Sequence, residues 1–201
     1  MSDTDAIRVV KVGGSLLAGS GLGQRVKQWL ELQPAVPTVW VVGGGKLVDV
    51  VRDWQKIQGE TPAVSDADAH WMSVELMSVT AKMFSALVDD WPVEASLESL
   101  QRQLRGGSEN VIFDCQSWLR TVDDLPCSWT VTSDSIAGRL GIELCCRELV
   151  LLKSCAAAGE TVEENVAQGV IDQHFLKLDR EFQVTLVNLN GEGPESSCVL
   201  V

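Results

Sequence analysis

Ile7-Arg8-Val9-Val10-Lys11-Val12-Gly13-Gly14-Ser15 and Thr38-Val39-Trp40-Val41-Val42-Gly43-Gly44-Gly45-Lys46 share one pattern. In each, an apolar run of β character ends in a glycine cluster, and helical periodicity resumes directly after it. Both therefore read as strand, glycine turn and helix. Glycine lets backbone N–H groups approach a ligand closely, and the N-terminus of the following helix adds partial positive charge. One such loop can hold a phosphate. Two, from neighbouring strands, can hold both ends of a phosphoryl transfer.

Working outward, Leu22, Val26, Trp29 and Leu30 keep a helical period that stops before Pro34 and Pro37. The second loop opens a helix expected from Leu47 to Gln58. A longer one is expected from Ala67 to Val88 with Asp66 as N-cap, and another from Glu94 to Arg105, closed by Gly106-Gly107. Val111-Ile112-Phe113 and Trp129-Thr130-Val131 read as short strands, and Ser133 to Gly141 as a helix capped by Ser133 or Asp134. Leu149-Val150-Leu151-Leu152 is apolar throughout, as in a strand buried on both faces. Short helices at Val162–Ala167 and Asp172–Leu178 precede a last strand, Gln183 to Asn188. After a loose stretch from Gly191, Cys198-Val199-Leu200-Val201 is apolar enough to pair. Alternating strands and helices predict an α/β domain spanning 1–201, with a mainly parallel sheet covered on both faces and ligands at the carboxyl ends of its strands.

The net charge of −12 argues against a nucleic-acid face or an anionic membrane surface, which need clustered Lys and Arg. An anionic substrate must then be held by backbone amides and a few placed cations. No apolar run approaches the ~20 residues that span a bilayer, and the acidic start Met1-Ser2-Asp3-Thr4-Asp5 does not read as a secretory signal. A cytoplasmic location is expected. The six cysteines form no Cys-x-x-Cys pair and read as reduced thiols rather than a zinc site. Trp29, Trp40, Trp54 and Trp71 fall in apolar stretches, as core or interface residues would.

Phosphoryl transfer needs cations that neutralise charge on the transferred group and backbone donors that fix it in line. Lys11, one residue before Gly13-Gly14, supplies the cation; the alternative is a strand-end lysine pointing to solvent. Neither loop matches Gly-x-x-x-x-Gly-Lys-Ser/Thr or Gly-x-Gly-x-x-Gly. Asp134 reads either as a helix cap or as a carboxylate that positions lysines. Thr132 and Ser133 add hydroxyls where a nucleotide or metal could lie.

Taken in order, Val10-Lys11-Val12-Gly13-Gly14-Ser15, Val41-Val42-Gly43-Gly44-Gly45 and Thr132-Ser133-Asp134-Ser135-Ile136-Ala137 resemble the motifs of the amino acid kinase family, which includes acetylglutamate, aspartate, uridylate and isopentenyl phosphate kinases. The resemblance implies a three-layer α/β/α sandwich, ATP with Mg²⁺, and direct transfer of the γ-phosphoryl group. It makes Lys11 the transition-state lysine and Asp134 the organising aspartate. It assigns Gly13, Gly14 and Ser15 to the nucleotide and phosphate side, with Thr132, Ser133, Lys153 and Ser154, and Gly43, Gly44 and Gly45 to the acceptor side. Metal is expected through the ATP phosphates rather than through a protein motif.

Ser128 to Ser135, the second loop leading to Val50-Val51-Arg52, the His70 helix and Ile171-Asp172 resemble the small kinases of methanofuran biosynthesis. That implies [5-(aminomethyl)furan-3-yl]methyl phosphate as acceptor and its diphosphate as product. Arg52 suits bidentate capture of an acceptor phosphate, or reads as a solvated helix arginine. His70 could donate to the same phosphate or be structural. Asp172 could pair with an amine on the acceptor or cap a helix. The family's Thr-Asp-x-x-Gly stands here as Leu152-Lys153-Ser154-Cys155-Ala156-Ala157-Ala158-Gly159, without the acidic residue. For a second, late lysine the candidate is Lys177. Other acceptors of the same fold class (a carboxylate, a carbamate, a nucleoside monophosphate) and a non-catalytic nucleotide-binding role stay open. A homodimer or higher homo-oligomer is expected, with the helix of Trp71, Met72, Val74, Leu76, Met77 and Val79 either at its interface or buried in the core.

Overall fold

The structure is a computed structural model and describes residues 7–57, 63–191 and 196–201. The expected helix end at Gln58, the Met1–Asp5 segment and part of the stretch after Gly191 lie outside these residues.

Seven strands form one sheet in the order β3-β4-β2-β1-β5-β6-β7. They are β1 (Arg8–Val12), β2 (Thr38–Val42), β3 (Val93–Glu94), β4 (Asn110–Phe113), β5 (Glu148–Lys153), β6 (Gln183–Asn188) and β7 (Ser197–Leu200). Every pairing is parallel except β6 with β7. The helices are α1 (Leu22–Glu31), α2 (Gly45–Ile57), α3 (Asp66–Leu87), α4 (Leu97–Arg105), α5 (Gln116–Leu119), α6 (Ser133–Glu143) and α7 (Val162–Ala167). Tight 3₁₀ turns cover Gly14–Ala18 and Gln173–Lys177.

Period-two alternation divides the strand residues between two apolar layers. Val9, Val41 and Leu151 pack with Ile136, Ala137 and Leu140 of α6. Val10, Val12, Trp40 and Leu152 pack with Leu22 and Val26 of α1 on the other face. The long α3 serves both, giving Val74 and Met77 to one layer and Ala81 and Phe84 to the other. The result is the expected three-layer α/β/α sandwich. Trp40 is fully buried against Trp29, Phe84 and Trp91, whereas Trp54 is exposed. The apolar α3 is not doubly buried: Met72 and Val79 are exposed while Val74 and Met77 are not. No described helix is long and apolar enough to cross a membrane.

Several local expectations are corrected. Trp129–Val131 is a turn, held by the Ser128 and Thr130 hydroxyls, 2.7 Å apart, and by a Val131 N–H bond to Ser128 O. Ser65 caps α3 in a capping box with Asp68, while Asp66 accepts from Gln55. Ser96 caps α4, so Glu94 belongs to β3. Thr132 caps α6. The Asp172–Leu178 helix is a 3₁₀ turn with Asp172 as its cap. β3 and α5, each of four residues or fewer, are elements that periodicity did not reveal.

Candidate functional site

Lys11 and Lys153 meet because of register. Lys11 pairs with Leu151 of β5, so Lys153, two residues on, projects from the same face of the sheet. That face is covered by α6, whose first turn carries Asp134. Lys11 Nζ lies 2.8 Å from Asp134 Oδ1. Lys153 Nζ donates to Asp134 Oδ1 at 2.9 Å, to Oδ2 at 2.7 Å and to Val170 O at 2.7 Å. All three side chains are largely withdrawn from water. The solvent-facing reading of Lys11 therefore falls. Lys177 is exposed on its 3₁₀ turn, and the second lysine on Asp134 is Lys153.

Burial pulls the Lys11 ammonium down to about 8, with repulsion from Lys153 acting the same way and Asp134 opposing. Burial works to raise the Asp134 carboxyl, but Lys11 and Lys153 together outweigh it and hold the group at about 2. The cluster joins two lysines to one carboxylate.

The two glycine loops touch each other. A Cβ on Gly14 would lie 2.5 Å from Gly45 Cα and 2.7 Å from Gly43 O. Gly45 has a φ of +54°, which favours glycine. A Cβ on Gly13 would lie 2.9 Å from Leu152 O, because the Gly13 N–H extends the ladder to that carbonyl at 2.8 Å. Ser15 and Ser154 hydroxyls sit 2.9 Å apart, joining the first loop to the segment after β5. Asn165 braces that segment by bonding Ala158 N, Gly159 O and Thr161 O.

Beside the loops lies a cavity of about 330 Å³. Gly14, Ser15, Gly43, Gly44 and Gly45 line it, as do Thr132 and Ser133, and so do Arg52 and His70. Its first-turn amides at Gly45 and Lys46 have no intrahelical acceptor, which suits an anion. Arg52 stacks over Trp129, 4.7 Å from the ring centroid, and bonds Asp49 at 2.7 Å. Burial holds the His70 imidazole below the ordinary histidine range, against a hydrogen bond with the Ser128 backbone. Lys11 and Lys153 do not line this cavity; they belong to β1 and β5 of the sheet.

Asp172 takes the capping alternative of its two readings. Its carboxylate accepts from Thr132 N and Oγ1, each at 2.8 Å, from Ser135 N at 3.0 Å, from the Ser135 hydroxyl and from Phe175 N at 3.1 Å. It does not line the cavity, and it clamps the start of α6 instead of facing an acceptor amine. Sequence reasoning passed over Lys46, Asp49 and Trp129. Lys46 and Asp49 were accessible from their positions in the first turns after the second loop. Trp129 had no such signal, since its place depends on a tertiary bond to Gln55.

No protein-family model matches the sequence, and no curated protein matches it by sequence. Solved structures do match in shape. UMP kinase from Ureaplasma parvum aligns over 97% of this chain and 98% of its own, with TM-score 0.63 and 13% identity. Aspartate kinase from Synechocystis aligns over 98% of this chain and 40% of its own, with TM-score 0.65 and 16% identity. N-acetylglutamate synthase from Neisseria gonorrhoeae aligns over 94% and 57%, with TM-score 0.58 and 15% identity. This chain spans about two fifths and somewhat over half of the latter two. At such identities the likeness is one of fold, and the fold is the amino acid kinase sandwich.

Proposed function

We propose that this chain is an ATP-dependent small-molecule kinase acting on a phosphate-bearing acceptor, with [5-(aminomethyl)furan-3-yl]methyl phosphate as the preferred one. The observation that carries the reading is the buried Lys11–Asp134–Lys153 cluster directly beside two abutting glycine loops. Fold likeness alone does not carry it, since N-acetylglutamate synthase has the fold too.

The residues present fit a nucleotide. Gly13, Gly14, Ser15 and Ser154 would hold the phosphates near Lys11, where a side chain at Gly13 would intrude on β5. Among the described residues no group of three His, Cys, Asp or Glu is poised for a metal. Magnesium would come with the nucleotide, held through its phosphates. Bound MgATP supplies the phosphoryl group; the chain supplies position and charge. The cluster's net positive charge favours build-up of negative charge on the transferring group. An acceptor phosphate is already an anion, so no strong general base is required, and positioning contributes most of the rate.

On the acceptor side, Lys46 and Arg52 offer donors to a phosphate, Asp49 a partner for an amine, and Val48, Val74, Met77 and Ile136 an apolar floor. A cavity of about 330 Å³ is at the small end for ligand sites and suits a single-ring compound. Self-association belongs to the same reading. Leu47, Val50, Trp54 and Ile57 are exposed along one stripe of α2, and a second copy would cover them.

The test is ADP formation from MgATP, with and without the furan phosphate, in wild type and Lys11→Ala. Acceptor-dependent turnover lost in the variant is expected. ATP binding without turnover on this acceptor redirects the search to carboxylates, carbamates and nucleoside monophosphates. ATP left intact with all of them favours a non-catalytic binding role, and no ATP binding overturns the kinase reading.

A further inference from the structure

An ammonium has three N–H donors. In Lys153 they meet three acceptors, Asp134 Oδ1, Asp134 Oδ2 and Val170 O, all within 2.9 Å. No donor is left over for a phosphate. Lys11, by contrast, meets Asp134 through Oδ1. Two lysines share one carboxylate, and without Lys153 the charge of Asp134 would fall wholly on Lys11.

We propose that Lys153 is a positioning residue: it occupies Asp134, fixes that carboxylate against Val170, and so leaves the Lys11 charge available to the transferring phosphoryl group. This rests on the phosphotransfer reading and differs from the sequence expectation that Lys153 binds nucleotide. The support comes from one short segment. Val170 O takes the third Lys153 donor, and Asp172, two residues later, holds Thr132 and Ser135 on either side of Asp134. Asp134 is thus braced from below by β5 and from the side by residues 170–172. Lys153 stands at the last position of β5, paired with Asn188 of β6, so its origin is held by the sheet on that side.

The experiment uses Lys153→Met and Lys153→Arg in two measurements. Steady-state kinetics with MgATP and the furan phosphate should show kcat down about 100-fold in Lys153→Met, with the ATP KM within about threefold of wild type. The arginine variant should recover part of kcat. An ATP KM that rises while kcat holds would make Lys153 a nucleotide ligand and overturn the proposal. Separately, NMR of ¹³C-lysine protein without ligand follows the Lys11 titration, which lies near 8 in wild type. In Lys153→Met it should move up toward the ordinary lysine range, since a repelling cation is gone and Asp134 attends to Lys11 alone. A folded variant in which that titration stays put overturns the proposal. Should the methionine variant not fold, Lys153→Arg decides: Lys11 titrates as in wild type and the ATP KM is unchanged, or the proposal falls. If wild type shows no turnover, the kinase reading fails by itself, and the titration still tests the charge sharing.

Discussion

The Arg52 guanidinium lies over the Trp129 indole, 4.7 Å from its centroid, and both residues line the cavity beside the glycine loops. The indole is itself anchored, since Trp129 Nε1 donates to Gln55 Oε1 at 2.5 Å. Gln55 in turn donates to Val64 O at 3.2 Å and Asp66 Oδ1 at 2.9 Å. Arg52 is therefore held against an anchored ring rather than left to sweep solvent. Arg52→Ala should raise the acceptor KM by about 10- to 100-fold, the worth of charged hydrogen bonds to a phosphate, with the ATP KM unchanged. Arg52→Lys should recover little, because an ammonium lacks the planar fork. Initial rates against both substrates check this; a parallel rise in the ATP KM would move Arg52 to the nucleotide side.

Activity should fall as pH rises through about 8, where Lys11 loses its proton. In stability the sign is opposite. Folding lowers this group from 10.5 to about 8, so below 8 both states carry the proton and the burial cost is constant. Between 8 and 10.5 the folded state releases its proton first, and this group's contribution to stability rises with pH. Asp134, lowered from 3.8 to about 2, contributes stability that is complete above 3.8 and is lost as pH falls through about 2. Rate profiles and urea unfolding across pH separate these effects. Lys11→Met should retain the acid limb of stability only in weakened form and lose the alkaline one.

Asp172→Asn should destabilise the fold by about 3 kcal/mol and lower Tm by roughly 6–12 °C. An amide presents one acceptor oxygen where the carboxylate meets donors with two, and its NH₂ faces Thr132 and Ser135. Acceptor KM should change little, because Asp172 is outside the cavity. Thermal unfolding and kinetics together decide whether it clamps α6 or binds substrate.

Gly14→Ala should cost about 3 kcal/mol or prevent folding, because its Cβ enters the backbone of the second loop. Gly107→Ala is the comparison. Its φ is +87° but nothing lies within 4 Å of an added Cβ, so about 1–2 kcal/mol of backbone strain is expected. Denaturant midpoints of the two variants measure the difference.

Val50→Asp with Ile57→Asp should convert a dimer to a monomer in sedimentation at micromolar protein, without changing the fold by circular dichroism. Both residues are strongly exposed, at 67% and 80%. A wild type that sediments as a monomer at all concentrations removes the self-association reading.

The readable parts of this chain were those set by local pattern. Apolar runs located β1, β2, β5 and β6, and the glycine clusters at the ends of β1 and β2 marked the loops that abut at Gly14 and Gly45. Lys11 was legible from its position beside the first loop, and Asp134 from the resemblance carried by Thr132 to Ala137. What escaped depends on contacts between distant segments. Trp129-Thr130-Val131 has strand composition, yet hydroxyl bonds and the Gln55 anchor make it a turn. Lys153 was visible as a residue, but its partner was not, because pairing it with Asp134 requires the register of β1 against β5. Asp172 looked equally like a cap and a ligand until its donors were placed.

The central position of β1 bears on how the chain is made. Its neighbour on one side is β2, about 30 positions on, but on the other it is β5, with Arg8 set against Glu148 and joined to it by an ion pair at 3.0 Å. During synthesis that edge of β1 waits, unpaired and apolar, until residue 153 has left the ribosome. Non-local parallel pairing is slow to form. The step that closes the sheet is also the step that carries Lys153 to Lys11, so a nascent chain can hold both glycine loops and still have no assembled charge cluster.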